Sequence, residues 1–447
     1  MSKHIGFQNK LSSFQIIILG FAGVIVLGAL LLMLPISTQN GAVTPFSKTL
    51  FTATSAVCVT GLIVFDTASY WSGFGQLIIL IMIQIGGLGV ISVASFLSML
   101  AGRKISLMQR QTMQNALSAP QMGGIVKLTR FIFLVSFAIE GIGALLLMPV
   151  FMTKYGIRGI WMAVFHSVSA FCNAGFDLMG VRQQYSSLTY YAGNGLVNAV
   201  IVLLILIGGL GFLTWEDIKT NKLQFKKYRM QSKVILVTDL ILVIVPTVIF
   251  YFGEFHGSQW GNGLERFWLS LFQAVTPRTA GFNTADFGQM SEGGLFLMVM
   301  LMLIGGAPGS TAGGMKTTTI AVLFSSAFSV FRKKDNAEVM KRRIDDETVK
   351  TASAVFLMYI TLFLVGGMAI STIENLPITS CLYETASAVG TVGLTLGITP
   401  TLGSASKMIL IMSMFFGRVG GLTLIYAAFG ANKKQVAKLP ADTIAVG

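Results

Sequence analysis

Charge is what this sequence has least of. Lys, Arg, Asp and Glu together make up 11% of its 447 residues, against about 25% in soluble globular domains. The charges are also clustered, leaving apolar runs of about 20 residues, the length that spans a bilayer. A soluble α/β enzyme is excluded, and a disordered tail needs the opposite composition. Cysteine is scarce too. Cys58, Cys172 and Cys381 are odd in number and lie in or beside apolar segments, so they read as small packing residues and exclude a disulfide scaffold. The three histidines, His4, His166 and His256, share no metal-ligand spacing with them. Glycine is abundant instead. Its 49 copies exceed the average of about 7% and sit inside apolar runs, which points to close helix packing or to backbone used as a ligand.

The net charge of +14 raises nucleic acid as a partner, and the distribution of the basic residues argues against it. Five lie between Arg103 and Arg130, six between Lys219 and Lys233, seven between Arg332 and Lys350, three at Lys433, Lys434 and Lys438, and two at Lys3 and Lys10. The alternate connections hold only Lys48, Lys154, Arg158, Arg182, Arg266 and Lys407. This asymmetry is the positive-inside pattern of a multi-pass membrane protein with both termini in the cytoplasm. The apolar run from Phe14 to Leu34 follows Lys3 and Lys10 without a small-residue cleavage site, and reads as a first membrane helix, not a signal peptide.

Aligning the glycines uncovers a repeat. Phe51, Ser55 and Gly61 recur as Phe165, Ser169 and Gly175 and as Tyr383, Ser387 and Gly393, the aromatic residue ten and the serine six positions before the glycine each time. A third-unit version, Phe272, Thr276 and Gly281, is one residue tighter, so the end of its short helix is expected to differ. The four glycines fall at intervals of 114, 106 and 112 residues. Each unit opens with an apolar helix, near 14–35, 128–152, 234–253 and 352–373. After each glycine comes a second apolar span carrying Ile85-Gly86-Gly87-Leu88-Gly89, Ile207-Gly208-Gly209-Leu210-Gly211, Ile304-Gly305-Gly306-Ala307-Pro308 or Phe416-Gly417-Arg418-Val419-Gly420. Between them, about ten residues from Ser47, Met162, Trp268 and Ser380 form half-helices too short to span, expected to be re-entrant. The expected architecture is an all-α integral membrane protein of eight spanning helices in four parallel repeats around a pseudo-fourfold axis, with units 1–101, 102–218, 219–332 and 333–447.

Non-helical backbone survives at membrane depth only where protein buries it or a watery cavity receives it. Four such segments meeting on an axis form a ring: Val59-Thr60-Gly61-Leu62, Asn173-Ala174-Gly175-Phe176, Thr279-Ala280-Gly281-Phe282 and Thr391-Val392-Gly393-Leu394. None of these residues is ionisable, so the ligands on offer are carbonyl oxygens, suited to a dehydrated alkali cation; Thr391-Val392-Gly393 is similar to the start of the Thr-Val-Gly-Tyr-Gly filter of potassium channels. The half-helices aim the negative ends of their dipoles at the same place.

On these motifs the chain resembles the Trk/Ktr/HKT superfamily of potassium transporters, and most of all the membrane (B) subunit of the bacterial Ktr system, over nearly its whole length. The resemblance implies that Gly61, Gly175, Gly281 and Gly393 mark a selectivity filter, and that Gly61 favours potassium, since sodium-transporting plant relatives carry serine in the first repeat. It also implies a homodimer with one pore per protomer, seated on a cytoplasmic RCK-type ring that binds ATP or ADP. No βαβ pattern follows the last basic cluster, so that regulator is expected to be a separate chain. No cofactor is expected on this chain, potassium being the transported ion in the plasma membrane, with no nucleic-acid partner.

The third unit's second helix is broken by Gly305-Gly306-Ala307-Pro308-Gly309-Ser310-Thr311-Ala312-Gly313-Gly314, a run that cannot stay helical. A flexible loop below the filter is expected, standing with Lys316 where the resembled family has its gate. The spacing Gly309, Gly314, Lys316, Thr317 is a near miss to a phosphate-binding loop; Met315 separates glycine from lysine and an apolar helix, not a strand, precedes it. Arg418 occupies the position of Gly87, Gly209 and Gly306. An arginine at membrane depth is costly and functional by default: it either meets the loop carbonyls and adds an electrostatic barrier below the filter, or pairs with a buried carboxylate. Arg278 is read as pinning the third turn, with Glu384 as partner, and Glu140 and Asp239 as structural pairs. Two rivals stay open, a sodium- or proton-coupled cation transporter on the same scaffold, and a membrane enzyme or sensor.

Overall fold

The computed structural model describes residues 12–119 and 121–429. His4, Lys3, Lys10, Lys433, Lys434 and Lys438, with the expected cytoplasmic tail, lie outside the described residues. Among the described residues four helices are long and apolar enough to cross a membrane: α1 (Ser13–Met33), and the helices Ile125–Tyr155, Met230–Glu254 and Asp346–Glu374.

Helix α1 begins in a capping box, Ser12 Oγ accepting from Gln15 N while the Gln15 side chain returns to Ser12 N. It is followed by the short helix α2 (Phe46–Val57), started by Pro45, and by α3 (Gly73–Leu88) and α4 (Val90–Leu100). After the surface helix α5 (Leu107–Ala116) the order recurs as α6 (Ile125–Tyr155), α7 (Arg158–Phe171), α8 (Gly195–Gly209) and α9 (Phe212–Asn221). The third set is α10 (Met230–Ile249), extended by a wide turn over Phe250–Glu254 beyond Pro246, then α11 (Gly263–Val275), α12 (Glu292–Met302) and α13 (Thr317–Phe331). The fourth is α14 (Asp346–Glu374), α15 (Ile378–Gly390), α16 (Ser404–Val419) and α17 (Gly421–Phe429).

Three features depart from expectation. The half-helices are 12 to 14 residues long, not ten, because their caps lie earlier: Pro45 and Pro377 start α2 and α15, and an Asn262–Glu265 capping box starts α11. The second helices of the first, second and fourth sets are interrupted as well as that of the third. Gly89, Gly211 and Gly420 take φ of +87°, +86° and +86° between their helix pairs, a left-handed conformation open to glycine at little cost. The first two pairs bend by 99° and 96°. Finally, the fold is not wholly helical: Glu338–Val339 and Arg342–Arg343 form a two-stranded antiparallel hairpin around Met340 and Lys341, both at positive φ.

Packing closes the molecule on itself. The helix after each glycine turn packs on the short helix of the next set: α3 on α7, α8 on α11, α12 on α15, and α16 back on α2. The marker aromatics Phe51, Phe165, Phe272 and Tyr383 are fully buried in these contacts. Within the first, second and fourth sets a glycine lets the second helix touch its own short helix, since a Cβ on Gly86, Gly208 or Gly417 would collide with the carbonyl of Val57, Phe171 or Val389 at the end of that helix.

Candidate functional site

Each short helix runs directly into a turn with two left-handed residues, one at the glycine and one two positions before it. The pairs are Val59 and Gly61 (φ +49° and +92°), Asn173 and Gly175 (+56° and +70°), Thr279 and Gly281 (+71° and +77°), and Thr391 and Gly393 (+53° and +95°). A non-glycine residue held there costs about 1–2 kcal/mol, so the surroundings must fix it. The marker hydroxyl supplies that restraint. Gly61 N donates to Ser55 Oγ (3.0 Å) and Gly393 N to Ser387 Oγ (2.9 Å). Ser169 Oγ instead donates to Phe176 O (2.7 Å), and Thr276 Oγ1 to Phe282 O. The backbone adds bonds from Thr60, Ala174 and Val392 N to Ser55, Ser169 and Ser387 O, each 2.8 Å, while Ala280 N reaches Thr276 O at 2.9 Å. The tighter third spacing is thus met by a different helix end, as its sequence requires.

The four turns meet in cyclic order. A Cβ built on Gly61 would lie 2.5 Å from Ala174 O, one on Gly175 2.8 Å from Gly281 Cα and 2.9 Å from Ala280 O, one on Gly281 against Val392 O, and one on Gly393 against Thr60 O. Four equivalent carbonyls, of Thr60, Ala174, Ala280 and Val392, therefore each lie beside the glycine of the preceding turn, with Thr60 beside the glycine of the fourth. Leu62, Phe176, Phe282 and Leu394 are buried behind them.

The segment from Gly305 to Lys316 runs directly beneath. Hydrogen bonds tie it along its length: Gly305 N to Met315 O (2.7 Å), Ala307 N to Gly209 O (2.9 Å), Gly314 N to Gly417 O (3.1 Å), and Phe212 N to Gly309 O (2.7 Å). Thr311 Oγ1 engages Phe171 O (3.0 Å) and Asn173 Oδ1 (3.1 Å), joining the segment to the second turn. Gly313 packs on the Thr391 side chain and Gly314 on Gly390 O. Lys316 Nζ folds back onto Ala312 O (2.9 Å) and Gly313 O (3.3 Å). Gly306 abuts Ala312, and Ser310 Oγ donates to Ala307 O, closing the Pro308 turn.

Arg418 faces this segment. Its Nη1 donates to Thr311 O and its Nη2 to Gly86 O and, at 3.1 Å, to Gly87 O. Its partners are carbonyls, and none of the ion pairs among the described residues includes it. Arg278 does not pair with Glu384. It meets Asp239 at 2.5 Å, both side chains under 10% exposed, while Glu384 accepts from Thr395 Oγ1 and Thr399 Oγ1. Arg278 leaves its turn toward the long helix that opens its own set, where Asp239 stands. Glu140 is held by the Gln84 amide at 2.9 and 3.1 Å. Cys58, Cys172 and Cys381 are buried and unbridged.

Residues 6–435 match the model of the TrkH cation transport protein family. The chain belongs to this family. It is 40% identical to the potassium/sodium uptake protein NtpJ of Enterococcus hirae, over 98% of each chain. It is 39% identical to the Ktr system potassium uptake protein B of Bacillus subtilis, over 97% of this chain and 96% of that one. The crystal structure of the potassium transporter TrkH from Vibrio parahaemolyticus shares the fold with a TM-score of 0.74 at 19% identity, covering 92% of this chain and 83% of the other. Membership makes this TrkH-family chain a multi-pass membrane cation transport protein and not an enzyme, which removes the enzyme rival.

Proposed function

We propose that this chain is the ion-translocating subunit of a potassium uptake system. In this reading the four turns are the selectivity filter: Thr60, Ala174, Ala280 and Val392 offer carbonyl oxygens in place of the ion's hydration shell, and Gly61, Gly175, Gly281 and Gly393 allow the backbones to approach. The observation that carries the reading is the cyclic contact of the four glycine turns, each against the next and the last against the first. The ring lacks ionisable side chains, which fits a hard, weakly polarising monovalent cation.

The segment Gly305–Lys316 and Arg418 act as the gate in this reading. Arg418 ties the third unit's loop to the first unit's broken helix, and loosening those bonds opens the way from the filter to the cytoplasm. The eight-span, four-unit arrangement with units 1–101, 102–218, 219–332 and 333–447, both termini in the cytoplasm, is supported by the basic clusters and by four recurrences of long helix, short helix, turn and broken helix. A homodimer on a separate cytoplasmic nucleotide-binding RCK ring follows from the resemblance to Ktr systems, two of whose B subunits, from Bacillus subtilis and Vibrio alginolyticus, are at 39% and 33% identity.

A second reading, sodium-coupled transport on the same scaffold, is favoured by the likeness to the Enterococcus hirae relative, a potassium/sodium uptake protein. One experiment separates the two. Potassium uptake is measured in cells lacking their own importers, with sodium and rubidium as competitors, with the chain alone and with a candidate cytoplasmic regulator. Uptake that rubidium competes for, and that proceeds without sodium, supports potassium conduction; uptake that stops without external sodium supports coupling.

A further inference from the structure

The four short helices share one more position. Three residues before each marker hydroxyl stand Thr52, His166, Gln273 and Glu384, all polar and all at most 1% exposed. Such residues carry a desolvation cost unless they are bonded. Three of them reach across to the chain just outside the ring. His166 Nδ1 donates to Met162 O (2.7 Å), which leaves Nε2 as acceptor for Leu178 N (3.3 Å), three residues past Gly175. Gln273 Nε2 donates to Thr284 Oγ1 (3.4 Å), three past Gly281. Glu384 accepts from Thr395 Oγ1, two past Gly393, and from Thr399 Oγ1 (2.7 Å).

The first unit breaks the pattern in an informative way. Thr52 is too short to cross and bonds within its own helix, to Lys48 O (3.1 Å). There the residue three past Gly61 is held from outside, Tyr185 Oη donating to Val64 O (3.3 Å). All four turns are therefore clamped twice, by the marker hydroxyl at the glycine itself or the residue after it, and by a second group at the two or three residues beyond. The Glu384 clamp has the most bonds. Thr395 Oγ1, held by the carboxylate, in turn accepts from Gly397 N (2.8 Å), where the chain takes φ +88°. One carboxylate thus organises the outer turn from Thr395 to Thr399.

We propose that Glu384 is a positioning residue for ion selection: through Thr395 and Thr399 it holds the outer end of the fourth turn, and with it the carbonyls flanking Gly393, at the spacing that discriminates between cations. His166 and Gln273 do the same for the second and third turns. The inference rests on the filter reading above. Glu384 touches no ion; it sets geometry through hydroxyls, so what matters is its capacity to bridge two of them, not its charge.

The test compares Glu384→Gln, Glu384→Leu and the pair Thr395→Val with Thr399→Val in the full-length chain, reading potassium uptake, its inhibition by sodium, and the amount of protein in the membrane. Gln, which the third unit uses at this position, still bridges hydroxyls, and discrimination stays within about twofold of the parent; Leu and the double Val variant lose about tenfold. Combining Leu with the double Val change produces no further loss, because one clamp is removed either way. Should the Leu variant fail to reach the membrane, the double Val variant, which keeps the carboxylate, decides. The proposal is overturned if Leu or the double Val variant discriminates as the parent does, or if Gln fails as badly as Leu. Gly393→Ser separates the two levels: parental selectivity that Gly393→Ser destroys while Glu384→Leu spares it leaves the filter standing and removes the clamp, whereas selectivity untouched by Gly393→Ser removes the filter.

Discussion

Arg418 donates to the carbonyl of Thr311, across 107 residues of sequence, and with its second amine to the carbonyls of Gly86 and Gly87. One guanidinium therefore joins the last broken helix, the loop of the third unit and the bend of the first. Its planar fork of donors suits several carbonyls at once, which a lysine ammonium on a single stem does not match. Replacement by alanine frees the loop and raises potassium flux or leak, and Arg418→Lys falls between. Unchanged KM, Vmax and leak in both variants would remove Arg418 from the gate.

The ring glycines leave no room for a side chain. Gly61 and Gly393 combine φ of +92° and +95° with neighbouring carbonyls where a Cβ would stand. Serine at either position pushes the ring apart and takes on a backbone penalty of about 1–2 kcal/mol. Discrimination of potassium against sodium falls in both variants, checked by uptake under sodium competition, and more so for Gly393→Ser. Parental discrimination in both would refute the filter assignment.

Arg278 and Asp239 form a buried ion pair between the third turn and α10. Removing one partner strands the other charge, at a cost of about 3–5 kcal/mol, whereas replacing both by apolar residues of similar volume is far milder. Arg278→Leu and Asp239→Leu should each lower the melting temperature of the detergent-purified protein markedly, and the double variant should regain most of it. Additive losses in the double variant would show that the two residues act separately.

Deleting residues 309–313 removes the bond from Phe212 N to Gly309 O, both Thr311 hydroxyl contacts and one of the three carbonyls that Arg418 meets. In the gating reading those contacts hold the segment across the path below the ring, so the deletion is expected to raise flux. Flux that falls or stays level, at equal membrane abundance, would leave the segment without a gating role.

Much of this arrangement is legible in the sequence because its parts are local. Hydrophobic runs of spanning length, a Ser or Thr at a set distance from glycine, and a Pro-Gly run all act over a few residues, so composition and spacing suffice to place long helices, short helices and turns. The bends at Gly89, Gly211 and Gly420 lie in the recurring glycine motif itself; a glycine in an apolar helix signals close packing or a break, and only the backbone angle tells which. The Arg278 partner is not legible for another reason. Nothing local distinguishes Asp239 from Glu384 as the carboxylate an arginine will reach.

The amino-acid sequence by itself determined that this is a helical membrane protein, that one aromatic, hydroxyl and glycine motif recurs four times along it, and which glycines follow the short helices, since each follows from the physics of a single segment in water or lipid. Only the tertiary structure decided that each unit's second helix packs on the next unit's short helix until the fourth meets the first, that the four turns thereby touch in a ring, and that Arg418 closes onto Thr311 beneath it. Those outcomes depend on pairings between residues 106 to 332 positions apart, where many partners are chemically equivalent and the shape of the packed helices selects among them.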